Sequence, residues 1–337
     1  MKRLMKRFAT LGLAAGLSFG VATSANAAGG DAFFDPTGAA NFGAVLSNLD
    51  WQPGNSIADG GITAIGNFIN GQGSTEFDFY YQATLGTYRD GTGLNLMPDG
   101  KELTIVVGLT ERVTDVTGAI GSTNGTASFE FLPGNTNFFE VYLGDANSNA
   151  LAGTGYNDGE LVLRADIANV NPTLFTNNDD DTGPLDQTVG DTDGVNNDYP
   201  DINSVGGNGS TTMAARITEW DTDVFHFEDV PPLIELALLQ NIGVDLPFLS
   251  IDPSSAFVDT ENAGAIGSAG PGPNTALGPN GDGTGSVGTL NGFNGPDVVF
   301  QTDTNQTFKA IPEPTTAVLG LITLGGVGLA TRRRRNA

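Results

Sequence analysis
The sequence predicts an all-β fold: a sandwich-like antiparallel β domain with one or two short helices and long Gly/Asx loops. Three observations carry that expectation. Apolar residues alternate in long runs, with Phe77, Phe79 and Tyr81 in one and Leu103, Ile105, Val107 and Leu109 in the next. Period two with aromatic and β-branched side chains is the pattern of strands that bury one face. Forty-eight glycines in 337 residues, with 8% aromatics, mark frequent tight turns. There is no cysteine, so the fold must stand on its core, without disulfides, thiolate metal sites or a thiol nucleophile.

In chain order, residues 1–27 read as a signal peptide rather than as fold. Lys2, Arg3, Lys6 and Arg7 precede an apolar run, Phe8 to Val21, and Ala25-Asn26-Ala27 offers a small-residue cleavage site. The Sec translocon is the export partner this implies. Residues 28–260 form the body. Leu49 to Gly54 reads as a short strand entering a turn, and Ile62, Ile65, Phe68 and Ile69 recur at helical spacing. Strands follow over 76–88 and 102–116. Segments 127–132 and 138–143 flank Pro133-Gly134-Asn135-Thr136-Asn137 and read as a hairpin, with Phe129, Phe131, Phe139, Val141 and Leu143 inward and Glu130 and Glu140 toward solvent. Another strand covers 160–167.

Residues 177–210 read as an acidic loop, with eight aspartates and no basic residue between 179 and 201. A long strand pattern returns over 211–230. Pro231-Pro232 then opens Leu233 to Ile242, which suits a short helix started by proline. Residues 261–296 are a Gly/Pro-rich linker or wide loop, and 297–310 a terminal strand.

The chain ends in a stiff polar break, Pro312-Glu313-Pro314, an apolar run from Ala317 to Ala330, and Arg332, Arg333, Arg334 and Arg335. Fourteen residues span roughly 21 Å as a helix against a hydrocarbon core of about 30 Å, so a transmembrane helix needs 315–331. Four glycines weaken it. The arginines belong on the cytoplasmic side. The alternative is a plain anchor that is never removed.

This tail, 311–337, resembles the sorting signal of the PEP-CTERM proteins. The resemblance implies transient inner-membrane insertion with the C-terminus cytoplasmic, cleavage by an exosortase-type protease, and release to the cell surface or extracellular matrix. Two stretches of the body, Gly153-Thr-Gly-Tyr-Asn-Asp-Gly-Glu160 and Phe300 to Phe308, are similar to the flocculation-associated PEP-CTERM proteins. The acidic segment after Ile167 departs from that pattern.

Eight of the 14 basic residues lie in the two terminal segments, leaving 6 against 38 acids over residues 28–310, a formal charge of −32. Nucleic acid and anionic lipid are excluded as partners of such a body; exopolysaccharide and divalent cations suit it. Within the acidic loop Asp191, Asp193, Asn196, Asp198 and Asp201 are candidate calcium ligands, hard oxygens around a turn glycine. An EF-hand loop does not fit, because its first ligand position falls on Val189 and its bidentate glutamate on Pro200. A thrombospondin-type repeat would be a single copy without its cysteine. The other reading is a solvated loop without metal.

His226 is the single histidine, between Phe225 and Phe227, so any Ser-His-Asp triad would rest on a strand residue flanked by core aromatics. Carboxylate pairs discriminate nothing among 38 acids. The expectation is no catalytic residue and no enzyme: an exported structural protein associated with exopolysaccharide, acting in aggregation, flocculation or biofilm cohesion. The alternatives are a calcium-dependent glycan-binding module and a secreted glycan hydrolase.

Overall fold
Alternation along the strands closes into a ring. The computed structural model describes residues 31–118, 125–134, 136–171, 173–184, 203–228, 233–242, 254, 256–261, 264–271, 276–277 and 296–309. Its long strands are β2 (Leu46–Asp59), β3 (Glu76–Asp90), β5 (Lys101–Thr117), β7 (Asn137–Asp145), β8 (Glu160–Val170), β10 (Asn203–Trp220), β12 (Leu233–Ile242) and β15 (Val298–Lys309). The remaining strands are β1 (Ala32–Phe34), β4 (Gly93–Asn95), β6 (Thr126–Phe131), β9 (Thr173–Pro184), β11 (Phe225–Phe227), β13 (Phe257–Val258) and β14 (Ala276–Leu277), and the helix is α1 (Gly61–Asn70).

The all-β antiparallel class stands as expected, and the pairings add closure. Each long strand pairs antiparallel with the next, and β15 returns to β2, from Val298 opposite Ala58 to Thr307 opposite Asn48. This is an up-and-down meander of eight strands, a size at which interior side chains fill the lumen. They do: Trp51, Tyr81, Leu103, Ile105, Val107, Phe139, Leu163, Met213 and Leu236 are buried in one cluster. Polar and charged groups on the same strands, such as Arg112, Asp166, Arg216, Asp303 and Asn305, are exposed. Apolar inside and polar outside is the reverse of an outer-membrane barrel.

The two mouths are closed differently. Over one lies α1, whose Ala64, Ile65 and Phe68 pack with Phe77, Val113 and Phe129. The other is plugged by β1 and β11, which pair Ala32 with Phe227 and Phe34 with Phe225. Phe34 stacks on Phe225 at 5.1 Å, and Phe308 at the end of β15 lies 6.0 Å from Phe227.

Several sequence expectations need correction. Residues 127–132 and 138–143 do not form a hairpin: β6 and β7 both pair with β5, Glu111 opposite Phe131 and Leu109 opposite Asn137. They are one strand interrupted by an excursion, which turn residues cannot distinguish from a reversal. Glu140 does not face solvent but has no exposed surface. Leu233–Ile242 is not a helix but β12, with Ile234, Leu236 and Leu238 buried at alternate positions. Its ladders to β10 and β15 decide the matter over proline punctuation. Pro53-Gly54 is not a turn but a register shift within β2.

The acidic segment is shorter than 177–210, because β9 and β10 pair Pro184 with Asn203 and Asn177 with Gly207. Part of 261–296 is bound to the wall: Gly267 N donates to Leu161 O, Leu161 N donates to Ser268 O, and β14 pairs with β13. His226 sits on β11, exposed, between the rings of Phe33 and Phe42.

Candidate functional site
Strand β15 ends at Lys309, so the polar break at Pro312, Glu313 and Pro314 begins three residues past the barrel wall. Those residues, Arg332 to Arg335, Ala25 and Ala27 lie outside the described residues, as does the expected span 315–331. Among the described residues no helix is long and apolar enough to cross a membrane. The calcium candidates Asp191, Asp193, Asn196, Asp198 and Asp201 also lie outside them. Among the described residues no three metal-ligating side chains converge.

The structure adds a site under α1 that periodicity did not reveal. A cavity of about 80 Å³ remains there, partly open at one side. Its wall carries Phe77, Phe79, Phe129, Phe175 and Phe300, with Glu111 the titratable residue among them. Ile62 and Ile65 of the helix form the roof. Each phenylalanine is legible as core; that five belong to β3, β6, β9 and β15 and meet at one mouth is a property of the closed ring.

Beside the roof an acid pair holds the start of the helix. Gly60, in the left-handed region at φ +77°, precedes α1 without a side-chain cap. Its N–H donates to Asp297 Oδ1 at 2.6 Å, and Ile62 N donates to Pro296 O at 2.9 Å. The carboxyls of Asp297 and Asp59 hydrogen-bond each other. Burial, then the Asp59 charge, pushes the Asp297 carboxyl up to about 7. Burial and the charge of Asp78 raise Asp59 as well. A shared proton in place of two facing charges is the arrangement such a pair adopts.

On the outer wall, the stretch 153–160 is a clasp. Gly153 and Gly155 take φ +69° and +84°, where a side chain is strained. A Cβ on Gly153 would lie 1.9 Å from the Ala256 carbonyl oxygen. The close approach seats Tyr156 against Phe257 in a second buried cluster. Thr104 Oγ1 donates to Tyr156 O at 2.8 Å, and Gln82 Nε2 donates to Ala256 O at 2.9 Å. Glu102 accepts from the backbone N–H groups of Asn147 and Ser148 at 3.0 Å. The 300–308 stretch is equally structural. Thr302, Thr304 and Gln306 are buried at alternate positions; Thr302 shares a 2.6 Å hydrogen bond with Ser56, and Gln306 Oε1 accepts from Trp51 Nε1 at 3.1 Å.

Through these bonds Thr302 and Gln306 tie β15 to β2. A family model, the PEP-CTERM protein-sorting motif, matches residues 310–335, directly after β15. No curated protein matches the chain. No solved structure matches it either.

Proposed function
We propose that the chain, which carries the PEP-CTERM sorting motif of exosortase-processed proteins, is destined for the exterior of the cell and that its barrel is a structural component of the surface or extracellular matrix. The observation that carries this reading is the sorting motif beginning where the last barrel strand ends. While the tail is inserted the protein stays at the membrane; cleavage frees the barrel.

In its final place the barrel associates with exopolysaccharide and contributes to aggregation, flocculation or biofilm cohesion. Two features support this. The body carries 38 acids against 6 bases, so neighbouring copies repel unless cations lie between them, and divalent cations bridging acidic surfaces and polymer supply cohesion. The buried carboxylates Glu102 and Glu140 bind the protein's own loop and its own arginine, which favours a structural over a hydrolytic role.

The test is deletion of the gene, followed by measurement of cell aggregation and of the protein and polysaccharide content of the matrix. Reduced aggregation, restored by the intact gene, supports the reading. Unchanged aggregation with unchanged matrix composition overturns it.

A further inference from the structure
The cavity under α1 has a chemistry of its own. A buried water needs two to four polar partners, and this wall of phenylalanine, isoleucine, alanine and valine carries one carboxylate, Glu111. Its volume, about 80 Å³, is roughly half the ~150 Å³ of an engineered apolar cavity that takes benzene. A volume of that size suits a few methylenes of an unbranched chain better than a ring.

Charge selects what can remain outside. Glu111 stands in the wall itself, a carboxylate that disfavours an anionic head group drawn in beside it. We infer that the cavity beneath α1 is a binding site for the unbranched aliphatic chain of a small amphiphile whose head group is neutral or cationic.

The chemistry sets a chain-length signature. Each methylene entering the wall tightens Kd about fourfold, from ~0.8 kcal/mol per buried CH₂, until the cavity is full; longer chains then gain nothing. The probes are the straight-chain alcohols from methanol to octanol, titrated into the mature exported protein. Binding is read by calorimetry and by the ¹³C-methyl resonances of Ile62 and Ile65. Hexanoate serves as the anionic control.

The expected result is a Kd that falls about fourfold per carbon and then levels off. Ile62 and Ile65 methyls shift, and hexanoate binds at least tenfold more weakly than hexanol. Val298→Phe fills the cavity and removes both the binding and the shifts. Phe77→Leu widens it and moves the plateau to a longer chain, which keeps the test decisive should Val298→Phe fail to fold. Affinity independent of chain length, or Ile62 and Ile65 methyls that stay unshifted in both wild type and Phe77→Leu, overturns the inference.

Discussion
Arg164 Nε stands 3.2 Å from Oε1 of Glu140, a carboxylate on the outer wall with no exposed surface. The same guanidinium reaches Glu219 at 2.8 Å and Glu261 at 3.2 Å, and donates to Gly264 O at 3.0 Å. Glu140 also accepts from the Tyr142 hydroxyl at 2.5 Å. One cation therefore ties β7, β8, β10 and the 261–264 segment together. In a body with six bases, this one serves three carboxylates.

Arg164→Met tests that relationship. It keeps much of the aliphatic stem but leaves Glu140 buried without its cation, which costs about 3–5 kcal/mol. The thermal midpoint should fall by roughly 10 °C. Glu140→Gln together with Arg164→Met should recover most of the loss. A single variant that melts with the wild type would show that the ion pair carries little.

The Asp59–Asp297 pair gives a pH dependence with a definite sign. The folded protein holds a proton on Asp297 up to about pH 7, whereas a free aspartate releases it near 3.8. The contribution is therefore complete below about pH 4 and is lost as pH rises toward 7. Asp78 and Asp259, the other carboxylates facing Asp59, add repulsion in the same direction. Asp297→Asn keeps an oxygen for Gly60 N and an N–H for Asp59, so at pH 8 it should be more stable than wild type by roughly 1–2 kcal/mol. Below pH 4 the two should agree. Denaturant melts of both proteins across pH 4–8 read the difference directly, and parallel curves would refute it.

Gly153→Ala tests the clasp on the outer wall. The substitution meets both a left-handed backbone and a carbonyl oxygen at 1.9 Å, so it should cost roughly 2–4 kcal/mol. Gly71→Ala is the control, with a similar φ of +64° and nothing within 4 Å of the added methyl; it should cost about 1 kcal/mol. Equal losses in thermal melts would mean that the contact with the 254–256 segment is not tight.

Much of the wall was legible because Phe77, Phe79 and Tyr81, and Leu103, Ile105, Val107 and Leu109, recur at period two and appear in β3 and β5. Tyr80 and Val106 between them are buried on the outer face, in the second cluster. The helical spacing of Ile62 to Ile69 appears as α1. What failed was whatever depends on partners distant in sequence. Leu233–Ile242 fits either period over ten residues, and only its ladders to β10 and β15 make it a strand.

Pro133-Gly134 breaks the strand locally without turning it back, since both flanks remain on β5. Glu140 looks like a solvent-facing charge in its own strand and is buried by what packs over it, Arg164 and Tyr142. Closure and the cavity were illegible for the same reason. Both arise from β15 meeting β2 across 240 or more residues of chain. The sorting motif was legible, because its chemistry is local and ordered along the chain.

The most direct measurement is mass spectrometry of the C-terminus of the protein recovered from the cell-surface and matrix fraction. Processing at the sorting motif predicts a chain that retains Lys309 and lacks the apolar run and Arg332 to Arg335. An intact chain ending in Ala337 in that fraction would contradict the account.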